Sequence, residues 1–565
     1  MINTLESIIT SVANNNGYNV ENMRVIKSNR PDISDFQCDD VFRLAKEFHK
    51  NPIEIGEAIV NDINNLKDFN KYFKKVEFLK PGFINITVSD EFINDNIKNI
   101  YSSDKYGVDN SLNEETYVID YGGPNVAKPL HVGHMRTAIV GESIKRIIKY
   151  KGNKVIGDIH LGDYGLQIGQ VIYGIMTENK NIDDIDINYL EYIYPKMSGL
   201  CKENEEVKNI CANITKDLQD GNEEYTRYWK KIMEVSIPDM KNIYDYLDVN
   251  FDYWYGESDA YKYLDETTNI LNEKNLLEDS LGAKVINVAK EDDKKEVPPF
   301  IYRKSNGAYL YASTDLATIV QRVKDFNPNH ILYVVDNRQA LHFEQLFRVC
   351  EKSNIFNYDN LEFLGYGTVN GCDGKPYKTR NGDAPKLQNL FEEAKEILLS
   401  KVNNPDLSDD DLNIIVNSIL KFADLQNSRE KDYIFDIAKF SDITGKTGPY
   451  ILYTYLRIKK IINNLENNID KLSNNIYNEF DRNLRLKILE FKYAFDNAYT
   501  NRMPNFLAEY LYELCVLTNA FYQNNHINNE SDINKKNDWV CILDLTDRII
   551  KEVLNLLVID IPTVM

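Results

Sequence analysis

The residues best suited to chemistry are His131 and His134, three positions apart in Pro129-Leu-His-Val-Gly-His134. That spacing puts both imidazoles on one side of a helix's first turn, beside backbone N–H groups that helix geometry leaves unpaired. Such a helix start attracts phosphate, and paired imidazoles there can stabilise charge that develops on a phosphoryl group. Gly133 between them removes a side chain where a flat base could approach the backbone. The same pair could instead bind a metal or act as polar packing. A metal needs a third ligand, and His160 or Asp163 in Asp158-Ile-His-Leu-Gly-Asp163 could supply one. A second pair, Tyr311 and Asp315, is read as ending a strand and opening a helix, close enough to converge on one ligand. Ser313 or Thr314 could cap that helix, and Asp315 could equally serve only its N-terminus. Thirdly, Lys375-Pro-Tyr-Lys-Thr-Arg380 lies between Asp373-Gly374 and Asn381-Gly382. Lys378 and Arg380 on this loop could close over phosphates, or form an ordinary solvated basic turn.

The elements around the histidines favour the nucleotide. Residues 117–121 read as a strand that Gly122-Gly123-Pro124 cannot continue. A helix then carries Arg136, Ile139, Ile144, Ile147 and Ile148 to Lys151-Gly152, where glycine suits the C-cap. The pair therefore falls at the carboxyl end of a sheet strand, where open α/β sheets bind ligands. Residues 331–335 form a second, wholly apolar strand, as expected for one covered on both faces.

Residues 106–405 alternate strand and helix, predicting a Rossmann-like, doubly wound parallel-sheet domain in an α/β protein. A charged helical insertion occupies about 175–250. Residues 1–105 read as a small α/β domain. Its Asn51-Pro52-Ile53-Glu54 start predicts a helix through Ile55, Ile59, Ile63 and Leu66, and Ile84, Ile86 and Val88 alternate as a strand. From about 406 to 565 strand signals vanish, and an all-α bundle is expected.

A chain of 565 residues with 43% hydrophobic content must form several packed domains. Its net charge of -21 speaks against a broadly basic nucleic-acid surface, though a local basic groove is invisible to that sum. The seven cysteines form no CxxC pair and none has a histidine at zinc-finger spacing, so no zinc is expected and the thiols read as reduced. With no basic-then-apolar leader and no apolar run near ~20 residues, a cytoplasmic protein without a membrane span is expected.

The run Gly122-Gly-Pro-Asn-Val-Ala-Lys-Pro-Leu-His-Val-Gly-His-Met-Arg136 resembles the HIGH element of class I aminoacyl-tRNA synthetases, in the form that arginyl-tRNA synthetases carry. Leu161-Gly-Asp-Tyr-Gly-Leu-Gln167, Leu310-Tyr-Ala-Ser-Thr-Asp-Leu-Ala317, Gln339-Ala-Leu-His-Phe-Glu-Gln-Leu-Phe347 and Thr447-Gly-Pro-Tyr450 resemble further segments of that family, in the same order. The resemblance implies an arginine–tRNA ligase. Its substrates would be ATP, L-arginine and tRNA(Arg), with Mg²⁺ on the phosphates and the chain acting as a monomer. His131, His134 and Lys128 would stabilise the reacting phosphate, Lys128 supplying the charge that a degenerate KMSKS element lacks. That element, with Thr379 in place of its usual second lysine, is Lys375–Arg380, and Lys378 and Arg380 would share the ATP with Gly133. Tyr311, Asp315 and Glu257 would hold the guanidinium, and Asn125 and Gln339 the amino-acid end. The N-terminal domain would touch the tRNA corner. The C-terminal bundle would read the anticodon, with Tyr450, Tyr453, Tyr455, Arg457, Lys459 and Lys460 available to stack on bases or meet phosphate. Competing readings are a class I synthetase for another amino acid, an idle tRNA-binding paralogue, and a metal hydrolase built on His131, His134 and His160.

Overall fold

The computed structural model describes residues 1–305, 307–377, 386–401, 407–463, 472–473 and 475–565. Lys378 and Arg380 lie outside these residues. Two compact units are each assembled from separated stretches of chain. Residues 1–108, 454–494 and 510–551 form the first, and residues 109–453, 495–509 and 552–565 the second.

In the first unit, strands Ile26–Lys27, Phe36–Cys38, Phe83–Val88 and Phe73–Leu79 pair in that order as an antiparallel sheet. The expected helix spans Pro52–Asn64, with Asn51 accepting from the Ile53 N–H and proline in the first turn. It buries Ile55, Ile59 and Ile63. Leu66 falls just beyond its end. Helix Glu479–Leu489 belongs to the same unit, and its Arg482 donates to both oxygens of Asp35 at 2.8 Å. Such a bidentate pair is geometrically specific and stronger than a neutral hydrogen bond.

The second unit is built on four parallel strands: β1 (Thr116–Asp120), β2 (Lys154–Asp158), β3 (His330–Tyr333) and β4 (Leu361–Phe363), in the order β4-β3-β1-β2. Helix α1 (Val132–Tyr150) carries the chain from β1 to β2. Helices Leu166–Thr177, Ile187–Glu203, Glu205–Gln219 and Glu223–Tyr246 follow before the chain returns to the sheet. After an antiparallel meander of Glu278–Ser280, Ala283–Ile286 and Phe300–Arg303, helix α2 (Tyr311–Phe326) leads into β3 and helix α3 (Ala340–Ser353) into β4. The chain thus leaves β1 toward β2 and later returns to β1's other side. The carboxyl ends of β1 and β3 therefore flank a switch point, where such sheets open a crevice.

One buried guanidinium ties three of these elements together. Asp120 and Asp158 are register partners at the ends of β1 and β2. Arg322, about three turns into α2 and fully buried, donates to Asp120 at 2.6 Å and to Asp158 at 2.7 and 3.0 Å. Burial still pushes the Asp158 carboxyl above its usual range, with Arg322 pulling it back.

Three expectations need correction. Tyr311 opens α2 rather than ending a strand, so Tyr311 and Asp315 sit one turn apart on a single helix. Ser313 is not the N-cap. Leu310 is, and Ser313 accepts from the Leu310 N–H at 3.2 Å from the helix's first turn. Nor do strands vanish after residue 406, because Tyr433–Ile434 pairs in parallel with Val369–Asn370. Two residues are too short to show alternation, and the pairing is fixed by distant chain. Among the described residues, no helix is long and apolar enough to cross a membrane. All seven cysteines are free and six of them are buried.

Candidate active site

Beyond β1 the chain must turn sharply. Gly122 takes a φ of +76°, which side chains resist, and Tyr244 donates to its carbonyl at 2.5 Å. The turn then runs beside the one after β2. Asn125 bridges to Gly162, where a Cβ would come within 2.0 Å of the Asn125 Oδ1. At Gly123 a Cβ would come within 2.3 Å of the His160 carbonyl oxygen, so only glycine there lets these two turns lie side by side.

His131 is the N-cap of α1, and the two histidines cap the helix reciprocally. His131 Nδ1 accepts from the Gly133 N–H at 3.1 Å, and His134 Nδ1 accepts from the His131 N–H at 3.1 Å. The N–H groups expected to face a ligand are therefore partly spent on the rings themselves. Burial and the nearby Lys128 charge lower the His131 pKa. Burial, then His131 and Lys128, hold His134 well below the ordinary imidazole range. Two neutral rings whose Nδ1 atoms accept must carry their protons on Nε2. Each keeps one N–H to donate to a ligand. The rings stand 3.9 Å apart, centroid to centroid.

Both rings line a cavity of about 550 Å³ at the switch point, a volume suited to a nucleotide-sized ligand. Asn125, Gly133, His160, Glu257, Tyr311, Asp315 and Gln339 line it too. Lys128 does not. It is half-buried and acts on the histidines through its charge. Pro376 and Tyr377 bring the basic segment to the cavity's edge.

One end of the cavity is acidic. Asp315 Oδ2 lies 2.7 Å from His342 Nε2, and the His342 ring packs 4.8 Å from that of Tyr311. Glu257 opens the short helix Glu257–Tyr261, whose start is held by Asp163: the Ser258 N–H donates to it at 3.0 Å and the Ser258 hydroxyl at 2.6 Å. Burial pushes the Glu257 carboxyl up to about 7, with the His160 charge opposing and Asp315 adding to the rise. Asp163 is thus a support for Glu257 and not a third ligand to the histidines. Among the described residues, no cluster of three His, Cys, Asp or Glu could hold a metal ion.

Reading the sequence missed three contributors. His342 lay inside a quoted segment, and its spacing carried no signal of its aim at Asp315. Asp163 was weighed only as a ligand. Arg136 is fully buried and donates to the carbonyls of Gly367 at 2.7 Å, Thr368 at 3.3 Å, Arg429 at 3.1 Å and Lys431 at 3.1 Å. It fastens α1 to the strand pair from which the basic segment departs. Of the aromatic and basic set near residue 455, Tyr455 is core, Arg457 stacks on Tyr522 at 4.3 Å and Lys459 pairs with Asp547 at 3.3 Å.

A parallel sheet whose switch point presents two helix-capping histidines has the form of a class I aminoacyl-tRNA synthetase. Comparison with known proteins narrows this. Residues 96–437 match the model of the class I (R) tRNA synthetase catalytic domain, 451–565 the DALR anticodon binding domain and 2–88 the arginyl tRNA synthetase N-terminal domain. The arginine–tRNA ligase of Alkaliphilus oremlandii is 39% identical, with 100% of this chain and 99% of that protein covered. The ligase of Agathobacter rectalis is 37% identical over the same shares. The crystal structure of the Plasmodium falciparum arginyl-tRNA synthetase superposes with a TM-score of 0.84 at 27% identity, covering 100% of this chain and 99% of that one. The chain belongs to the arginyl-tRNA synthetase family.

Proposed function

We propose that this enzyme activates arginine with ATP and transfers it to the terminal adenosine of tRNA(Arg). In the first step the arginine carboxylate attacks the α-phosphorus of ATP, which enters as its magnesium complex, and pyrophosphate departs. The Nε2–H groups of His131 and His134 and the Lys128 ammonium stabilise the charge gathering on the phosphoryl oxygens, with Lys378 and Arg380 acting from the basic loop. Gly133 lets the nucleotide lie close to the chain. Asp315, Glu257 and Tyr311 hold the guanidinium, while Asn125 and Gln339 orient the amino-acid end. No side chain serves as nucleophile, so catalysis rests on placement and electrostatics. The N-terminal unit contacts the corner of the tRNA, and the C-terminal helices read its anticodon.

The observation that carries this reading is the meeting of two features in one cavity: a pair of imidazoles that can only donate, and a carboxylate-rich end matched to a donor-only cation. Pyrophosphate exchange measured across the twenty amino acids, with and without tRNA, tests it. Arginine alone should support exchange. Support from a different amino acid would overturn the specificity, and exchange with none would remove the activity altogether.

A pH dependence follows from Glu257. Arginine pairs with the ionised carboxylate, so below about 7 a proton must leave before the guanidinium can bind. The KM for arginine is expected to fall as pH rises toward about 7 and to level off above it. In Glu257→Gln that slope should disappear while the KM for ATP stays put. A slope that survives the substitution would assign the titration to another group.

A further inference from the structure

The helix they cap sets the directions of His131 and His134, but Lys128 lies three residues before that cap. It is half-buried, and among the described residues its ammonium has no hydrogen-bond or ion-pair partner. Its direction therefore rests on the main chain to either side. On one side Pro129 confines Lys128 to extended backbone. On the other, Ala127 is fully buried and left-handed, with a φ of +61°. A residue with a Cβ is strained there and persists only when its surroundings hold it.

The hold comes from helix Glu223–Tyr246. Ser236, buried near its middle, accepts the Ala127 N–H through its hydroxyl oxygen at 3.1 Å. The same helix reaches the start of this segment, where Tyr244 donates to the Gly122 carbonyl. Gly122 and Ala127 are the two left-handed residues between β1 and α1, and one helix holds both. With alanine at 236 the buried Ala127 N–H would lose its acceptor, which adds an unmet donor to a strained residue. The chain would then have two reasons to leave that conformation. We infer that Ser236 is a positioning residue: by holding Ala127 left-handed, it aims Lys128 at the reacting phosphate. The inference rests on the function proposed above, in which Lys128 stabilises that phosphate. It gives a part in the first chemical step to a helix none of whose described residues lines the cavity.

The test is a double-mutant cycle on the full-length enzyme, read by arginine-dependent pyrophosphate exchange. Ser236→Ala should lower kcat by roughly tenfold to hundredfold, the scale of a small misplacement, with the KM for arginine within about twofold of wild type. In a Lys128→Ala background the same change should cost less than about twofold, because no ammonium is left to aim. A serine that merely supported the fold would cost the same factor in both backgrounds, and that result would overturn the inference. So would a Ser236→Ala enzyme whose kcat stays within about twofold of wild type. If Ser236→Ala melts early, Ser236→Cys, which keeps the shape and weakens the acceptor, goes through the same cycle under the same criteria. Lys128→Ala also separates the two levels. Full exchange by that variant would remove Lys128 from the mechanism and the inference with it. A slow Lys128→Ala enzyme in which the two effects multiply would leave the mechanism standing and sink the role of Ser236 alone.

Discussion

Replacing His134 with alanine is expected to slow arginine-dependent pyrophosphate exchange by roughly 10²–10³-fold, or about 2.7–4 kcal/mol of transition-state stabilisation, the range for losing one preorganised donor. Two things go at once. The Nε2–H that faces the phosphate disappears, and so does the acceptor that holds the His131 N–H at 3.1 Å. His134→Gln separates them, because an amide can still donate to the phosphate but caps the helix poorly. The loss should appear in kcat for activation, with the KM for arginine little changed, because Asp315 and Glu257 lie on other elements. Near-wild-type exchange by His134→Ala would remove the pair from the mechanism.

Arg322→Ala is expected to destabilise the catalytic unit by about 3–5 kcal/mol, the usual consequence of removing one partner from a buried charge cluster. Asp158 is fully buried and Asp120 nearly so, and both lose their counter-charge together. The effect should depend on pH in a definite direction. Without Arg322, burial holds the Asp158 carboxyl further above its unfolded value, so the folded state binds more protons than the unfolded chain and stability falls as pH rises. Chemical denaturation at pH 5 and pH 8 should therefore show the larger deficit at pH 8. An equal deficit at both would mean the carboxylates find other partners. Since Asp120 also lines the cavity, activity should fall below what the unfolded fraction accounts for.

How far these residues could be read from the chain depended on the range of the interactions. His131, Gly133 and His134 act through the helix they begin, so a strand, a glycine turn and helical periodicity were enough to locate them. Tyr311 and Asp315 were placed side by side although the element boundary was misplaced, because one turn of helix and a strand–helix junction both bring them together. Arg322 was missed, yet a signal existed. It follows Asp315 by seven positions, two helical turns, in a stripe otherwise occupied by buried residues. A charged group in that stripe needs an opposite charge within the core, and aspartates ending two strands could supply it. His342, Asp163 and Arg136 left no such trace, since each meets partners that only the assembled sheet brings near.

The four oxygens that receive the Arg136 guanidinium belong to peptide groups, and any amino acid offers the same oxygen. Recognition of Arg136 therefore asks nothing of the side chains at 368 and 431, whereas Gly367, where a Cβ would come within 2.4 Å of the Lys431 backbone, and Arg429, which donates to the Gly365 carbonyl at 2.7 Å, are held along with the course of the main chain. An engineer exchanging the basic loop between related enzymes should cut inside those anchors, after Asn370 and well before Arg429, so that the graft arrives on a mount already aligned with the histidines.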